Sequence, residues 1–245
     1  MKNNMIDLHC HLLPGIDDGC INMEETLKAL REMKEIGFTK IVLTPHYIES
    51  SNYCADNFIK LRLYGELRRI IKKQNIDITV LLGNEIYFND SIRELIKNHK
   101  IFPINNTRYL LIEFPLYSEL NNVLDYLYEL QLEGYIPVIA HPERYSYFQK
   151  DYKKLVDFYE AGVLFQCNYG SILGQYGTKA KKLFKFALSN NLVSFLGTDI
   201  HRSNSYLYNN FDKCLNKIEK IIGKNNLVKI TCINPKELLE NKEIR

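Results

Sequence analysis

The sequence predicts an α/β protein folded as one closed (β/α) barrel with its site at the C-terminal ends of the strands. Three observations carry that reading. Short apolar segments alternate seven times with amphipathic helical ones, no linker or shift in composition interrupts the series, and histidines and carboxylates cluster just past the apolar segments. Residues 6–8 read as the first strand. Residues 23–36 place Met23, Leu27, Leu30 and Met33 at helical spacing and stop at Gly37, a helix-ending signal. A strand at 40–43 and a helix at 56–73 follow, then a strand at 78–82 and a shorter helix near 90–98. The fourth unit is a strand at 109–112 with a helix at 118–133 that ends at Gly134. The fifth pairs 136–140 with a helix near 152–161 ending at Gly162, and the sixth pairs 163–167 with 176–190. Residues 192–196 form the seventh strand, and the remainder is mostly helical with a break before Pro235. Continuously apolar strands are buried on both faces, as in a parallel sheet. A doubly wound open sheet is the alternative; seven uninterrupted units favour closure and a single domain over residues 1–245.

Composition narrows the function. The chain has 245 residues, 46% hydrophobic and 25% charged, which is ordinary for a globular protein. Its net charge of +3 gives no strong nucleic-acid footprint. No apolar run reaches the ~18–20 residues of a membrane span, and the opening residues lack the apolar core of a signal peptide. We therefore expect a cytoplasmic protein without stable membrane insertion. The six cysteines, Cys10, Cys20, Cys54, Cys167, Cys214 and Cys232, form no CxxC pair, and a chain of this length needs no disulfide staples. None is followed six residues later by arginine, so the phosphate loop of cysteine-dependent phosphatases is absent.

In β/α barrels the active site is built at the C-terminal ends of the strands. Here those ends carry His9 and His11, then His46, Glu85, Glu113, His141 with Arg144 close behind, Asn168, and Asp199 with His201. Asp17 and Asp18 follow the first strand. Five of the six histidines occupy these positions; only His99 lies elsewhere. Each piece alone has a plain structural reading: a satisfied core histidine, a turn aspartate, or a glutamate favoured by a helix N-terminus. Together they point into one mouth, where several unpaired carboxylates would be costly and divalent cations would remove the cost. Taking Asp18 over Asp17 gives nine donors, more than the three protein ligands of a single catalytic zinc and enough for two or three metals. Mixed imidazole and carboxylate ligation suits manganese, iron or zinc.

At this point the motifs resemble a known superfamily. Asp7-Leu8-His9-Cys10-His11 with Asp17-Asp18-Gly19, Thr44-Pro45-His46, Gly83-Asn84-Glu85, Leu111-Ile112-Glu113-Phe114, Ala140-His141-Pro142-Glu143-Arg144-Tyr145 and Thr198-Asp199-Ile200-His201 are similar to those of the polymerase-and-histidinol-phosphatase (PHP) superfamily. Within it the chain resembles the protein tyrosine phosphatases of capsule and exopolysaccharide loci, the CpsB/CapC/YwqE group. The resemblance runs in order over residues 5–201. It implies a distorted seven-stranded PHP-type barrel with three divalent metal ions, usually manganese. It also implies a ligand pattern: His9, His11, Glu85 and Asp199 on one metal, Glu85 bridging to a second completed by Glu113 and His141, and Asp18, His46 and His201 on the third. Arg144 matches the group's phosphate-binding arginine. Arg202 stands where asparagine is common; a second guanidinium there would either add phosphate affinity or point to solvent, and solvent is the favoured reading.

The implied activity is hydrolysis of phosphotyrosine by attack of a metal-bridging hydroxide. The substrate implied by the group is the phosphorylated tail of a membrane-associated bacterial tyrosine kinase. A small-molecule phosphatase such as histidinol-phosphate phosphatase is the alternative within the superfamily. A nuclease fits the low charge poorly, and metal-dependent amide hydrolysis typically wants a metal-bridging lysine, which no strand end offers. Tyr47, Tyr87 and Tyr145, just past strand ends, are candidates to line an aromatic cleft, and Asn168 to orient a ligand.

Overall fold

The computed structural model describes residues 4–244. Its elements run β1 (Met5–Cys10), α1 (Met23–Glu35), β2 (Phe38–Leu43), β3 (His46–Tyr47), α2 (Asn57–Lys73), β4 (Thr79–Leu82), β5 (Glu85–Tyr87), α3 (Ile92–Lys97) and β6 (Tyr109–Glu113). They continue with α4 (Val123–Leu132), β7 (Ile136–Ala140), α5 (Ser146–Lys150), α6 (Tyr152–Glu160), β8 (Leu164–Asn168), α7 (Gly177–Ser189), β9 (Phe195–Gly197), α8 (Tyr206–Val228) and α9 (Asn234–Leu239). All named strand pairs are parallel, in the orders β1-β2-β4 and β3-β5-β6-β7-β8-β9.

The two sheets are one distorted barrel. On one side, Asp199 N–H donates to His9 O (2.9 Å) and His11 N–H to Ile200 O (2.8 Å), which ties β1 to the end of β9. On the other side, β2/β3 and β4/β5 are two strands, each bent once. The first bend is at Thr44-Pro45, because proline brings no N–H to the ladder. The second is at Gly83-Asn84, where a Cβ on Gly83 would lie 3.2 Å from Ile104 Cα. Backbone bonds from Gly83 N–H to Leu43 O and from Glu85 N–H to Pro45 O bridge both bends. The seven expected strands are therefore present, two of them broken into β2/β3 and β4/β5.

Other boundaries differ for local reasons. The seventh strand begins at Phe195 rather than at residue 192, because Asn191 is left-handed (φ 56°) and Leu192 N–H still closes the end of α7 on Ala187 O. The helix expected from residue 118 starts at Val123, and the short helix α5 has no counterpart in the sequence reading. The break expected before Pro235 lies instead at Gly223 (φ 76°); the chain passes Pro235 in helical geometry through a π-turn at Lys229–Ile233.

Alternation along the strands divides the barrel. Ile6, Leu8, Val42, Tyr109, Leu111, Val138, Ala140 and Phe195 fill the floor together with Leu238 of α9. Ile41, Leu43, Leu110, Ile112, Ile139, Phe165 and Leu196 face the helices. The period of two then carries the inward row up to the mouth: Leu111 leads to Glu113, Leu164 to Gln166 and Asn168, and Phe195 to Gly197 and Asp199. Two strands need a correction to reach it. A register shift between Asp7 and Cys10 turns His9 and His11 inward after Leu8, the effect of a β-bulge. His141, directly after inward Ala140, sits in the left-handed region (φ 33°, ψ 55°), which is costly for a residue with a Cβ.

Leu111 is fully buried in the floor, directly beneath the mouth. Leu111→Ala should cost about 2–5 kcal/mol of stability through the cavity it leaves, read as a lowered midpoint in urea denaturation. An unchanged midpoint would mean that the floor is not packed as described.

Candidate active site

The carboxylate of Glu85 is the centre of the mouth. Four imidazole nitrogens surround it: His9 Nε2 at 3.2 Å, His11 Nε2 at 3.2 Å, His46 Nδ1 at 3.0 Å and His141 Nε2 at 3.0 Å. Asp199 Oδ1 stands 3.6 Å from both His9 and His11, and Glu113 Oε1 3.6 Å from His141. Towards the opening, Asp18 Oδ1 lies 3.7 Å from His46 Nε2 and 3.6 Å from His201 Nε2. All nine donors picked out in the sequence meet here, in four overlapping groups: His9, His11 and Asp199; His9, Glu85 and His141; His46, Glu85 and Glu113; and His11, Asp18, His46 and His201. Within each group the ligand atoms lie within 4.8 Å of one another.

A second layer aims these donors. His9 Nδ1 is 2.6 Å from Gln166 Oε1, and His11 Nδ1 is 2.8 Å from Asp17 Oδ2. Both acceptors call for N–H on Nδ1, so both Nε2 atoms present lone pairs, yet these two atoms are only 3.2 Å apart. Two lone pairs so close need a proton or a cation between them. Such outer bonds are the usual way a protein fixes the tautomer of a ligating histidine. Asp17 also accepts from the backbone N–H of Gly19 and His46, so it shapes the loop while Asp18 faces the opening. Gln166 Nε2 donates to Asn168 Oδ1, and Asn168 Nδ2 donates to Asp199 Oδ2 at 2.8 Å. Gly197 makes room for this chain, since a Cβ there would stand 2.5 Å from Gln166 Nε2. Asn168 thus orients Asp199. Gln166 escaped the sequence reading; its signal was the inward parity it shares with Asn168.

Further buried carboxylates brace the rim. Asp7 accepts from Thr198 N–H (3.0 Å) and Thr198 Oγ1 (2.6 Å), locking β1 to the segment that carries Asp199. Glu143 Oε1 accepts from Asn168 N–H and Ser171 Oγ, pinning the turn Pro142–Arg144 to the end of β8.

The electrostatics are those of an incomplete site. Burial opposes charge on the His9 ring, but the Glu85 and Asp199 carboxylates outweigh it and carry His9 up to about 9. Burial, then the adjacent Glu85 charge, push Glu113 up to about 8. Burial and the Arg144 cation take His141 down to about 4. Glu85 stays well below the usual carboxylate range despite its burial, because the His9 and His46 rings lie beside it. Glu85 Oε2 and His46 Nδ1 face each other at 3.0 Å without an aligned hydrogen bond, and His141 Nδ1 is buried with no hydrogen-bond partner among the described residues, which is expensive in a dry interior. Nitrogen and oxygen donors converging with orphaned lone pairs fit divalent cations.

Arg144 projects into the same mouth, a quarter exposed, with Nη1 donating to Asp199 Oδ2 at 3.1 Å. Its guanidinium lies 4.8 Å above the centre of the Tyr176 ring, and Tyr176 Oη is 3.5 Å from Asp199 Oδ2. Tyr176 had no sequence signal, being in the turn before α7. Of the three tyrosines expected to line an aromatic cleft, Tyr87 is half-buried near Glu113, whose charge adds to burial in raising its phenol, while Tyr47 and Tyr145 turn inward. Tyr145 is fully buried, with its hydroxyl donating to Ala140 O and accepting from Phe114 N–H. Tyr47 packs into the core beside Lys60. Tyr176 under Arg144 and Tyr53, which stacks on His46 at 6.0 Å, are aromatic rings of the site that the sequence did not mark, and the buried Tyr145 ring lies edge-on to His141 at 5.8 Å. Arg202 pairs with Glu25 at 3.3 Å and faces solvent, as expected.

Comparison with known proteins agrees with this geometry. Residues 5–240 match the family described as Capsular polysaccharide synthesis, CpsB/CapC. The putative tyrosine-protein phosphatase CapC of Staphylococcus aureus is 35% identical over 202 residues, covering 80% of this chain and 77% of that protein. The tyrosine-protein phosphatase YwqE of Bacillus subtilis is 30% identical over 240 residues, covering 98% and 93%. A chain from the crystal structures of YwqE from Bacillus subtilis and CpsB from Streptococcus pneumoniae, unique metal-dependent tyrosine phosphatases, superposes with a TM-score of 0.88 at 29% identity, covering 98% of this chain and 96% of the other. With this fold, a mouth built to take cations and relatives over nearly its full length, the chain belongs to the CpsB/CapC family of metal-dependent tyrosine-protein phosphatases.

Proposed function

We propose that this phosphatase holds three divalent cations, manganese before iron or zinc, and removes phosphate from the tyrosine-rich tail of a membrane-associated kinase in the cytoplasm. The supporting observation is the pair of imidazole Nε2 atoms 3.2 Å apart over a buried carboxylate. His9, His11, Glu85 and Asp199 would hold one cation, Glu85, Glu113 and His141 a second, and Asp18, His46 and His201 the third. Bound there, the cations would supply an activated water and neutralise phosphate oxygens.

The chain's own residues do the rest. The Arg144 guanidinium has five N–H donors; one bonds Asp199 and the others remain for phosphate oxygens. The Tyr176 ring supports its face, and Asn168 keeps Asp199 turned towards the histidines. The leaving tyrosine is a phenolate with a pKa of about 10, good enough to depart without a dedicated acid. Half-exposed Asp18 and His201 at the opening leave the entrance accessible to a protein-borne phosphotyrosine.

The direct test is phosphate release from a phosphotyrosyl peptide and from histidinol phosphate, each with manganese and with a chelator. Chelator-sensitive turnover of the peptide alone is expected; preference for histidinol phosphate would move the protein to small-molecule metabolism. Metal loading should also release protons. At pH 7 the metal-free His9 (about 9) and Glu113 (about 8) both carry one, so a cation displaces them, and affinity rises with pH through that window. Calorimetry in buffers of different ionisation enthalpy reads this; buffer-independent heats would contradict it. Arg144→Ala should keep its metals and lose roughly a hundredfold in turnover. Tyr176→Phe should stay close to wild type, while Tyr176→Leu raises KM for the peptide because the guanidinium loses its support. A fully active Arg144→Ala variant would remove the phosphate-clamp role.

A further inference from the structure

Helix α2 carries a feature that neither the barrel nor the phosphatase site uses. It contains six cations, Lys60, Arg62, Arg68, Arg69, Lys72 and Lys73, against the single carboxylate Glu66, more net positive charge than the whole chain's +3. The remainder of the molecule is therefore net acidic, and the low overall charge conceals the asymmetry. Lys60 is buried on Asn84 Oδ1, but the other five are exposed, and none is paired with a carboxylate among the described residues. At 3.6 residues per turn, Phe58, Arg62, Gly65, Arg69 and Lys72 form one outward row, flanked by Leu61 and Arg68 on one side and Ile59 and Lys73 on the other. Phe58 is 74% exposed, Leu61 51% and Ile59 42%. The opposite face, with Lys60, Leu67 and Ile71, packs on the barrel.

We propose that this face of α2 docks the protein peripherally on an anionic lipid surface. Unpaired cations beside exposed aromatic and aliphatic side chains on one helix face are the combination that headgroups and the acyl boundary reward together. A nucleic acid would use the cations and gain little from Ile59 and Leu61. A second copy of the chain meeting face to face would set the two basic rows against each other. The docking is peripheral, because no helix among the described residues is long and apolar enough to cross a membrane. The inference stands apart from the phosphatase reading, and its test needs no turnover.

The full chain is sedimented with phosphatidylcholine vesicles and with vesicles in which part of that lipid is replaced by phosphatidylglycerol. Binding to the anionic vesicles alone is expected, weakening as salt screens the contact. Each cation removed should lower the partition coefficient roughly fivefold, so R62Q/R69Q/K73Q together should lower it by about two orders of magnitude. Phe58→Ser should lower it several-fold while keeping the salt dependence. Both variants alter exposed side chains away from the mouth and should turn over a free phosphotyrosyl peptide as wild type does, which shows that they fold. Equal binding to neutral vesicles, no binding to either kind, an unaffected triple variant, or tighter binding to duplex DNA than to anionic vesicles would each overturn the proposal.

Discussion

One buried carboxylate organises this protein. Glu85 is almost wholly withdrawn from water, with four imidazole nitrogens within 3.2 Å of it. A charge so placed is tolerable only if compensated, and neutral imidazoles alone compensate it poorly, since with Nδ1 protonated His9 and His11 would turn lone pairs towards it. The metal-free chain answers with protons on His9 and Glu113. Divalent cations answer better, because they satisfy lone pairs from every side at once. The rest of the mouth serves that exchange: Gln166 and Asp17 set the tautomers, Asn168 and Arg144 hold Asp199, and Asp7 and Glu143 stiffen the two segments from which these residues project.

The barrel delivers these groups by simple alternation, corrected where alternation fails. Three strands reach the mouth in phase from an apolar floor. β1 reaches it through a register shift, and β7 through the left-handed His141. Asp199 is left-handed as well (φ 52°). Strained backbone concentrates at functional sites when the surroundings enforce it, and here the enforcement is visible in the bonds that Glu143, Asp7 and Thr198 make on either side. The bends at Pro45 and Gly83 do the same for His46 and Glu85. Asn84 donates to Pro45 O and accepts from Phe102 N–H, with Lys60 on the same oxygen.

Much of this was legible in the sequence because it is periodic or chemically conspicuous. The strand–helix alternation gave the barrel, and histidines and carboxylates at strand ends marked the mouth, since ionisable groups have few other reasons to gather there. What escaped was set by tertiary contact. The bends in the second and third strands look like continuous apolar runs ending in Pro and Gly. Gln166 and Tyr176 are ordinary residues until His9 and Arg144 are placed beside them. Tyr145 was attractive as a cleft residue by position, but its hydroxyl is spent on Ala140 and Phe114. The basic row of α2 was hidden because total charge averages over a net-acidic remainder.

The central claim is that the nine donors around Glu85 are arranged for cations rather than for one another. Anomalous diffraction from crystals grown with manganese, recorded on both sides of the metal's absorption edge, tests it most directly. The account predicts three peaks per chain, one between His9, His11, Glu85 and Asp199, one by Glu113 and His141, and one by Asp18, His46 and His201. A mouth without anomalous density, with Glu85 still clasped by the four imidazoles, would contradict it.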